Sequence, residues 1–333
     1  RTLMIMNQRI RIAIVGYGNL GRGVEAAVAR CPDMSLSAIY SRRPAASIQT
    51  LFGNAPVYEM EALNGRANET DVFVLCGGSK EDLPRQGPQL AALGNTVDSF
   101  DTHARIAEYF SAMDEAARAA GHTSIISVGW DPGLFSIHRV LGEAFLPDGD
   151  TYTFWGKGVS QGHSDALRRV EGVADGVQYT VPIERAIEQV RSGARPRFSP
   201  RQMHRRECFV VLKDGANADA VRQAIVSMPH YFDEYETVVT IVDARTLDAE
   251  HRGMAHGGFV IRSGRTGSDH EQRLELGLSA SSNPELTSSI LVAYARAAVR
   301  LHRMGKIGAH SVFDVAPGWL SLKSNEQLRA EWL

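Results

Sequence analysis

Two acidic residues stand where apolar runs give way to loops: Asp101 after Thr96–Phe100 (TVDSF) and Asp131 within Gly129–Gly133 (GWDPG). Paired carboxylates beside a hydride acceptor suit one task. They grip a substrate ammonium and help it lose a proton, because hydride leaves a Cα only when the nitrogen lone pair can form an imine. Either acid would serve equally as a helix cap, Asp101 above all, since Thr102 follows and a helix starts soon after. Asp131 precedes Pro132, which keeps it out of a helix interior.

The hydride acceptor has its own signature. Gly16-Tyr17-Gly18-Asn19-Leu20-Gly21 is G-x-G-x-x-G, and it lies between the apolar run Arg11–Val15 and the helix-like stretch Asn19–Arg30. In that context Gly16 permits a tight turn, Gly18 lets a pyrophosphate approach the backbone, and Gly21 lets strand and helix pack closely. The amides at the helix start then face the anion. The end of the second strand selects the nucleotide: an NAD-binding chain places an acid there, about 20 residues beyond the glycines. This chain has Ser41-Arg42-Arg43 instead. Guanidinium groups fork onto phosphate, so these residues predict NADP(H). Cys76-Gly77-Gly78-Ser79, after the next strand, is expected beside the nicotinamide ribose, with Cys76 a small buried hydrophobe rather than a nucleophile.

The second half carries fewer signals. Thr153–Arg169 (TFWGKGVSQGHSDALRR) reads as a loop closing over a ligand before a helix begins near Ser164. Six arginines and no acid fall between Arg191 and Arg206, a run that either meets an anionic group or forms a solvated loop. Arg206 shares a strand face with Cys208 and Val210, so it is expected to point inward. His256-Gly257-Gly258 precedes a strand, and a lone histidine there serves as a hydrogen-bonding partner as readily as a catalyst.

These residues need a scaffold, and the first 130 residues supply one. Near-continuous apolar runs at Arg11–Val15, Ser35–Tyr40, Asp71–Cys76, Thr96–Phe100 and Ser124–Val128 alternate with helix-like stretches such as Arg105–Ala120. That pattern predicts α/β architecture, a Rossmann-like doubly wound parallel sheet with its ligand crevice at the carboxyl ends of the strands. Past Gly129, runs around Thr151–Phe154, Cys208–Leu212, Val238–Val242, Gly258–Ile261 and Arg273–Leu278 lack intervening helices. They predict a second α+β domain with a mixed or antiparallel sheet. A last helix is expected over Glu285–Gly305, and no repeat of 20–50 residues is visible. The domain reading is 1–130 with 285–333 folding back for NADP, and 131–284 for substrate and dimerisation.

Composition removes other classes. The 333 residues carry 36 Lys and Arg against 38 Asp and Glu, a net charge of −2, which offers no footprint for nucleic acid or anionic lipid. Cys31, Cys76 and Cys208 are odd in number and far apart, against a disulfide framework or a zinc site and in favour of a reducing cytoplasm. Arg1–Asn7 holds too short an apolar run for a signal peptide, no run elsewhere suits a membrane span, and no metal site is expected.

Read together, these segments resemble the meso-diaminopimelate dehydrogenase family over Ile10–Pro317. The resemblance rests on VGYGNLGR (15–22), YSRR (40–43), TVDSFD (96–101), GWDPGLFS (129–136), TFWGKGVSQGHSDALRR (153–169), HRRECFVV (204–211) and GMAHGG (253–258). It implies a homodimer that oxidatively deaminates the D-centre of meso-2,6-diaminopimelate with NADP. The D-centre groups are then expected at Asp101, Asp131, Trp155, Gln161 and Gly162, and the distal L-centre at Thr180, Arg206, His256 and Asn283. Cofactor contacts are expected along Gly16–Gly21, Ser41–Arg43 and Cys76–Ser79, and at Ser99, Phe100, Asp101, Trp130, Asp131, Pro132, Gly133 and Leu134. Gly77, Phe100 and Leu134 depart from the family's frequent bulkier residue, Tyr and Met, leaving pocket shape open. A broader NADP-dependent D-amino-acid dehydrogenase or imine reductase, or a non-catalytic NADP-binding sensor, are the competing expectations.

Overall fold

In β1 (Ile10–Val15) every residue except Arg11 is buried. Ile12 and Ile14 enter one apolar layer, Ala13 and Val15 the opposite one. A strand dry on both faces needs helices over each. One layer receives Val24 and Val28 of the helix Asn19–Val28 and Leu291, Val292, Ala295 and Leu301 of the long helix Asn283–Arg303. The other receives Leu83 and Leu90 of Asp82–Ala91, and Tyr109, Met113 and Ala117 of Ile106–Ala120. The computed structural model describes residues 9–333, so the Arg1–Asn7 stretch read above lies outside the described residues.

The chain divides into two compact units, residues 1–137 with 284–333, and 138–283. The junction therefore falls beyond residue 130, and Asp131 sits in the first unit. That unit holds one sheet of parallel strands: β1, β2 (Met34–Ser41), β3 (Val57–Glu59), β4 (Val72–Leu75), β5 (Asn95–Asp98), β6 (Thr123–Ile125) and β14 (Gly308–His310). Their order is β14-β6-β5-β4-β1-β2-β3. The chain winds outward from β1 through β3, then returns to β4 on the other side of β1, which creates a switch point between β1 and β4.

The second unit contains two sheets where the sequence suggested one. β8 (Gly158–Val159), β9 (Val173–Pro182), β10 (His204–Leu212) and β11 (Glu236–Ile241) form a mixed sheet, with only the β10–β11 pair parallel. β7 (Asp148–Trp155), β12 (His256–Thr266) and β13 (His270–Ala280) form an antiparallel one. The expected closing loop at Thr153–Arg169 is in fact the end of β7, the short β8 and the helix Gln161–Arg168. No helix among the described residues is long and apolar enough to cross a membrane.

Two strands of the first sheet stop short of their apolar runs, for a shared reason. The Asp98 carboxylate accepts hydrogen bonds from the Phe100 N–H (2.9 Å), the Ser127 N–H (3.2 Å) and the Tyr109 hydroxyl (2.8 Å). Its backbone carbonyl accepts the Val128 N–H at 2.9 Å. The side chain thus competes with the ladder and turns the chain after β5, while Ser127, with φ of 57°, ends β6. Asp98 is fully buried, and burial pushes its carboxyl up to about 6 against the pull of those hydrogen bonds. Unfolded, the group would titrate near ~3.9. Between those values the folded protein keeps a proton that the unfolded chain releases, so stability falls as pH climbs through this window and is flat above it. Asp98→Asn removes the effect. Urea unfolding at about pH 4 and about pH 7 should show the variant gaining roughly 2–3 kcal/mol on the wild type; a pH-independent difference contradicts the assignment.

Candidate active site

The carboxyl ends of β1, β2 and β4 surround a cavity of about 600 Å³. It is lined by Gly16–Asn19, Ser41–Arg43 and Cys76–Gly78, together with Arg22, Ser47, Ile48, Gln49 and Asp82. Gly16 has φ of +95° and lies against the Cys76 backbone, so its turn needs glycine. A Cβ on Gly21 would run into the Gly16 carbonyl oxygen, which accounts for that glycine by strand–helix packing. Gly18 is different: its φ is −96°, and a Cβ there would meet no protein atom within 4 Å. Neither backbone nor packing asks for glycine, whereas a group lying close along the cavity wall does. The helix Asn19–Val28 begins with no side-chain cap at Gly18, which leaves its positive end directed at that space.

Three guanidinium groups ring the same cavity. Arg43 donates to the Tyr17 carbonyl at 2.5 Å, Arg22 to the Gln49 carbonyl at 3.1 Å, and Arg42 to both Asp82 carboxylate oxygens at 2.8 and 3.2 Å. The Ser41 hydroxyl accepts the Arg43 N–H at 3.1 Å. Behind them the buried Glu25 carboxylate accepts the Tyr17 hydroxyl and the N–H groups of Leu51 (3.0 Å) and Phe52 (3.1 Å). It thereby anchors the stretch that follows the wall residues Ser47–Gln49. This donor set and the open glycine wall fit a dinucleotide with an extra phosphate. Cys76, expected to be buried, is half-buried at this wall; burial of its thiol pushes the pKa far up, against a nucleophile's role.

Other expected residues lie outside this cavity. Leu20 packs in the core, and the fully buried Phe100 ring stacks on Tyr109 at 4.1 Å. The Ser79 hydroxyl accepts the N–H groups of Asp101 (2.8 Å) and Thr102 (3.1 Å), pinning the loop after β5 to the loop after β4. Asp101 itself is exposed. It caps no helix, since Thr102 holds the position before the turn His103–Arg105. Asp131 is half-buried in a closed loop held by Leu134 N–H to the Gly129 carbonyl (3.0 Å) and Phe135 N–H to the Trp130 carbonyl (2.8 Å). Gly133, at φ of +133°, has no room for a Cβ against Gly129, and Trp130 meets Phe135 edge to face. Pro132 and Leu134 are half-buried, and Ser99 lies between Asp98 and Phe100 in the turn.

Two arginines are buried in the second unit: Arg262 donates to the Leu146 and Pro147 carbonyls and the Thr151 hydroxyl, whereas Arg206 is less well satisfied. Arg206 on β10 is 7 % exposed, next to the buried Cys208 and Val210. One of its amino groups donates to the Thr180 hydroxyl on β9 at 2.5 Å. The guanidinium lies 3.8 Å from the Tyr235 ring centroid, and its Nε has no partner. No ion pair with a carboxylate is found for it among the described residues. Burial pushes its pKa down. Burial, with Arg206 adding to it, holds His163 and His204 near 4, neutral at physiological pH. His204 accepts the Trp155 N–H at 2.9 Å. His256 is also pushed down by burial and accepts the Gly257 N–H at 2.8 Å. Gly158 exists because a Cβ would strike the His256 ring. Gln161 and Gly162 are exposed at the start of the helix Gln161–Arg168, and the Asn283 N–H donates to the Met254 carbonyl at 2.8 Å.

The remaining arginines of the 191–206 run are accounted for locally: Arg191 pairs with Glu275, Arg195 with Asp148 and Arg205 with Glu207. Arg201 donates to the Asp233 carbonyl, and Arg197 lies in the same exposed run. Sequence reading missed Arg22, Glu25, Asp82, Asp98, His163, His204 and Tyr235. Only His204 carried a signal, as the residue two before Arg206 on an alternating strand. Among the described residues no group of three or more His, Cys, Asp or Glu side chains is placed to hold a metal.

Comparison with known proteins agrees in both halves. Residues 129–282 match the model of the diaminopimelic acid dehydrogenase C-terminal domain. The meso-diaminopimelate D-dehydrogenase of Lysinibacillus sphaericus is 56% identical over 324 residues, 97% of this chain and 99% of that protein. The solved structure of C. glutamicum DAP dehydrogenase in complex with DAP is 44% identical, with 98% of this chain and 100% of that one covered and a TM-score of 0.90. An engineered D-amino acid dehydrogenase bound to NADP+ is 43% identical over the same shares, with a TM-score of 0.85.

Proposed function

We infer the reaction from the family to which the chain belongs, that of the meso-diaminopimelate D-dehydrogenases. The enzyme oxidatively deaminates the D-centre of meso-2,6-diaminopimelate, giving L-2-amino-6-oxopimelate, ammonia and NADPH. Bound NADP supplies an acceptor for the hydride leaving the D-centre Cα. The rest of the work falls to the chain's own residues. Gly16, Gly18 and Gly21 shape the wall for the pyrophosphate, and Ser41, Arg42 and Arg43 take the 2′-phosphate. Asp101 and Asp131 hold the D-centre ammonium, with Trp155, Gln161 and Gly162 orienting the groups around it. An Asp131 carboxylate oxygen accepts a proton from that ammonium, which frees the nitrogen lone pair to form the imine as hydride departs. Water then hydrolyses the imine to the ketone and releases ammonia.

Arg206 carries the substrate assignment. A guanidinium shut away from water with no acid beside it is unfavourable by several kcal/mol, and a carboxylate from the ligand relieves it. We assign that role to the distal L-centre carboxylate, with Thr180, His256 and Asn283 completing its surroundings. A ligand without this group leaves Arg206 unsatisfied, so selectivity follows from the same charge. The first unit is proposed to bind NADP, the second to bind substrate and pair with another chain as a homodimer. Three free cysteines favour a reducing cytoplasm as the setting.

Arg206→Met should raise the KM for the substrate roughly 10- to 100-fold, the worth of a charge-assisted carboxylate contact. Its melting temperature should hold or rise, because a desolvated charge is gone; an unchanged KM removes Arg206 from the site. Asp131→Ala should lower kcat on the order of 10²-fold while NADPH still binds, and full turnover would take Asp131 out of the mechanism. Replacing Arg42 and Arg43 together by Ser should raise the KM for NADP at least roughly tenfold, with little change in kcat at saturation. An unaltered KM would refute the phosphate assignment.

A further inference from the structure

One carboxylate faces the cavity wall among the three guanidinium groups, and nothing in the reaction above uses it. Asp82 opens the helix Asp82–Ala91 and lines the same space as Arg42 and Arg43. One of its oxygens accepts the Gly78 N–H at 3.0 Å, and its two oxygens together take the fork of Arg42 at 2.8 and 3.2 Å. The two partners are unequally held: the Asp82 side chain is 15% exposed, that of Arg42 64%. The acid is therefore the fixed element and the arginine the movable one. Gly77 makes room for it, since a Cβ there would lie 2.8 Å from the Asp82 Cβ.

A guanidinium presents one planar fork, and carboxylate and phosphate compete for it in the same bidentate geometry. The Arg43 guanidinium, by contrast, hydrogen-bonds among the described residues only to a backbone carbonyl, that of Tyr17. We propose that Asp82 is an internal competitor of the cofactor's 2′-phosphate: it occupies Arg42 in the free enzyme, must yield it when NADP(H) enters, and takes it back on release. Arg43 is then the constant phosphate anchor and Arg42 the exchangeable one. Asp82 weakens binding of 2′-phosphorylated nucleotides selectively, because a ribose 2′-hydroxyl makes no claim on the fork. The residue thereby sets how tightly this chain retains its coenzyme between turnovers. The proposal rests on the NADP assignment above.

The test is equilibrium binding of NADPH, 2′,5′-ADP and NADH to wild type and Asp82→Asn, followed by ligand fluorescence or calorimetry. The variant keeps an oxygen for the Gly78 N–H and loses the charge. Its Kd for NADPH and for 2′,5′-ADP should fall about three- to tenfold, the range of an exposed ion pair plus one relieved like-charge contact. Its Kd for NADH should stay within about twofold, and the gain should shrink as salt rises, because exposed charges are screened. Asp82→Ser should reproduce the gain, so a folding defect peculiar to Asn does not decide the matter. Equal or weaker NADPH binding in both folded variants, or an equal gain for NADH, overturns the proposal while leaving the NADP assignment intact. Failure of the wild type to bind NADPH more tightly than NADH overturns the assignment itself, and this inference with it.

Discussion

Burying a guanidinium without an acid beside it opposes folding, and this chain does so at Arg206. The strand β10 delivers it inward by simple alternation with Cys208 and Val210. Thr180 takes one of its donors and the Tyr235 ring takes its face, yet the cation has no counter-charge among the described residues. Its neighbours adapt to it: His163 and His204 stay neutral, which avoids stacking further positive charge in the same place. In the function proposed above, an anionic ligand makes this arrangement favourable, and part of the second unit's stability is held back for it.

The first unit solves the opposite problem, that of receiving an anion many times over without a deeply buried charge. Arg22, Arg42 and Arg43 stand at the rim on exposed side chains, and the backbone does the close work. Gly18 leaves the wall open, the helix behind it turns its positive end outward, and Glu25 ties down the stretch after Ile48 and Gln49. Asp98 fastens the turn after β5 to the segment that continues into the Asp131 loop. Ser79 does the same for the Asp101 loop. The loops that carry Asp101 and Asp131 are thus held by backbone contacts.

Much of this was legible in the sequence, for identifiable reasons. Strands buried on both faces appear as unbroken apolar runs, so β1, β2 and β4 and the glycines after β1 were readable, as was the inward direction of Arg206. β9 was not, because Asp175 and Gly176 interrupt its alternation; both residue types are unfavourable in strands. β3 spans only three residues, two half-buried and one exposed, and carries no pattern. Runs at Thr96–Phe100 and Ser124–Val128 overshot β5 and β6, since the side chain of Asp98 and the left-handed Ser127 end strands that hydropathy would prolong. Asp82 and Glu25 were invisible for a different reason: their partners lie on other loops, and only the winding of the sheet brings them together.

In the proposed reaction, two acids and a buried arginine with no carboxylate partner among the described residues select one amino-acid centre for hydride removal by a phosphate-bearing coenzyme. The most direct measurement is the growth of reduced-coenzyme absorbance with NADP and the separate meso, L,L and D,D isomers of 2,6-diaminopimelate. Steady reduction is expected with the meso form, none with the L,L form, and the D,D form far behind the meso because its distal centre has the wrong configuration for Arg206. Equal rates with all three isomers, or none with the meso form while NADPH still binds, would contradict it.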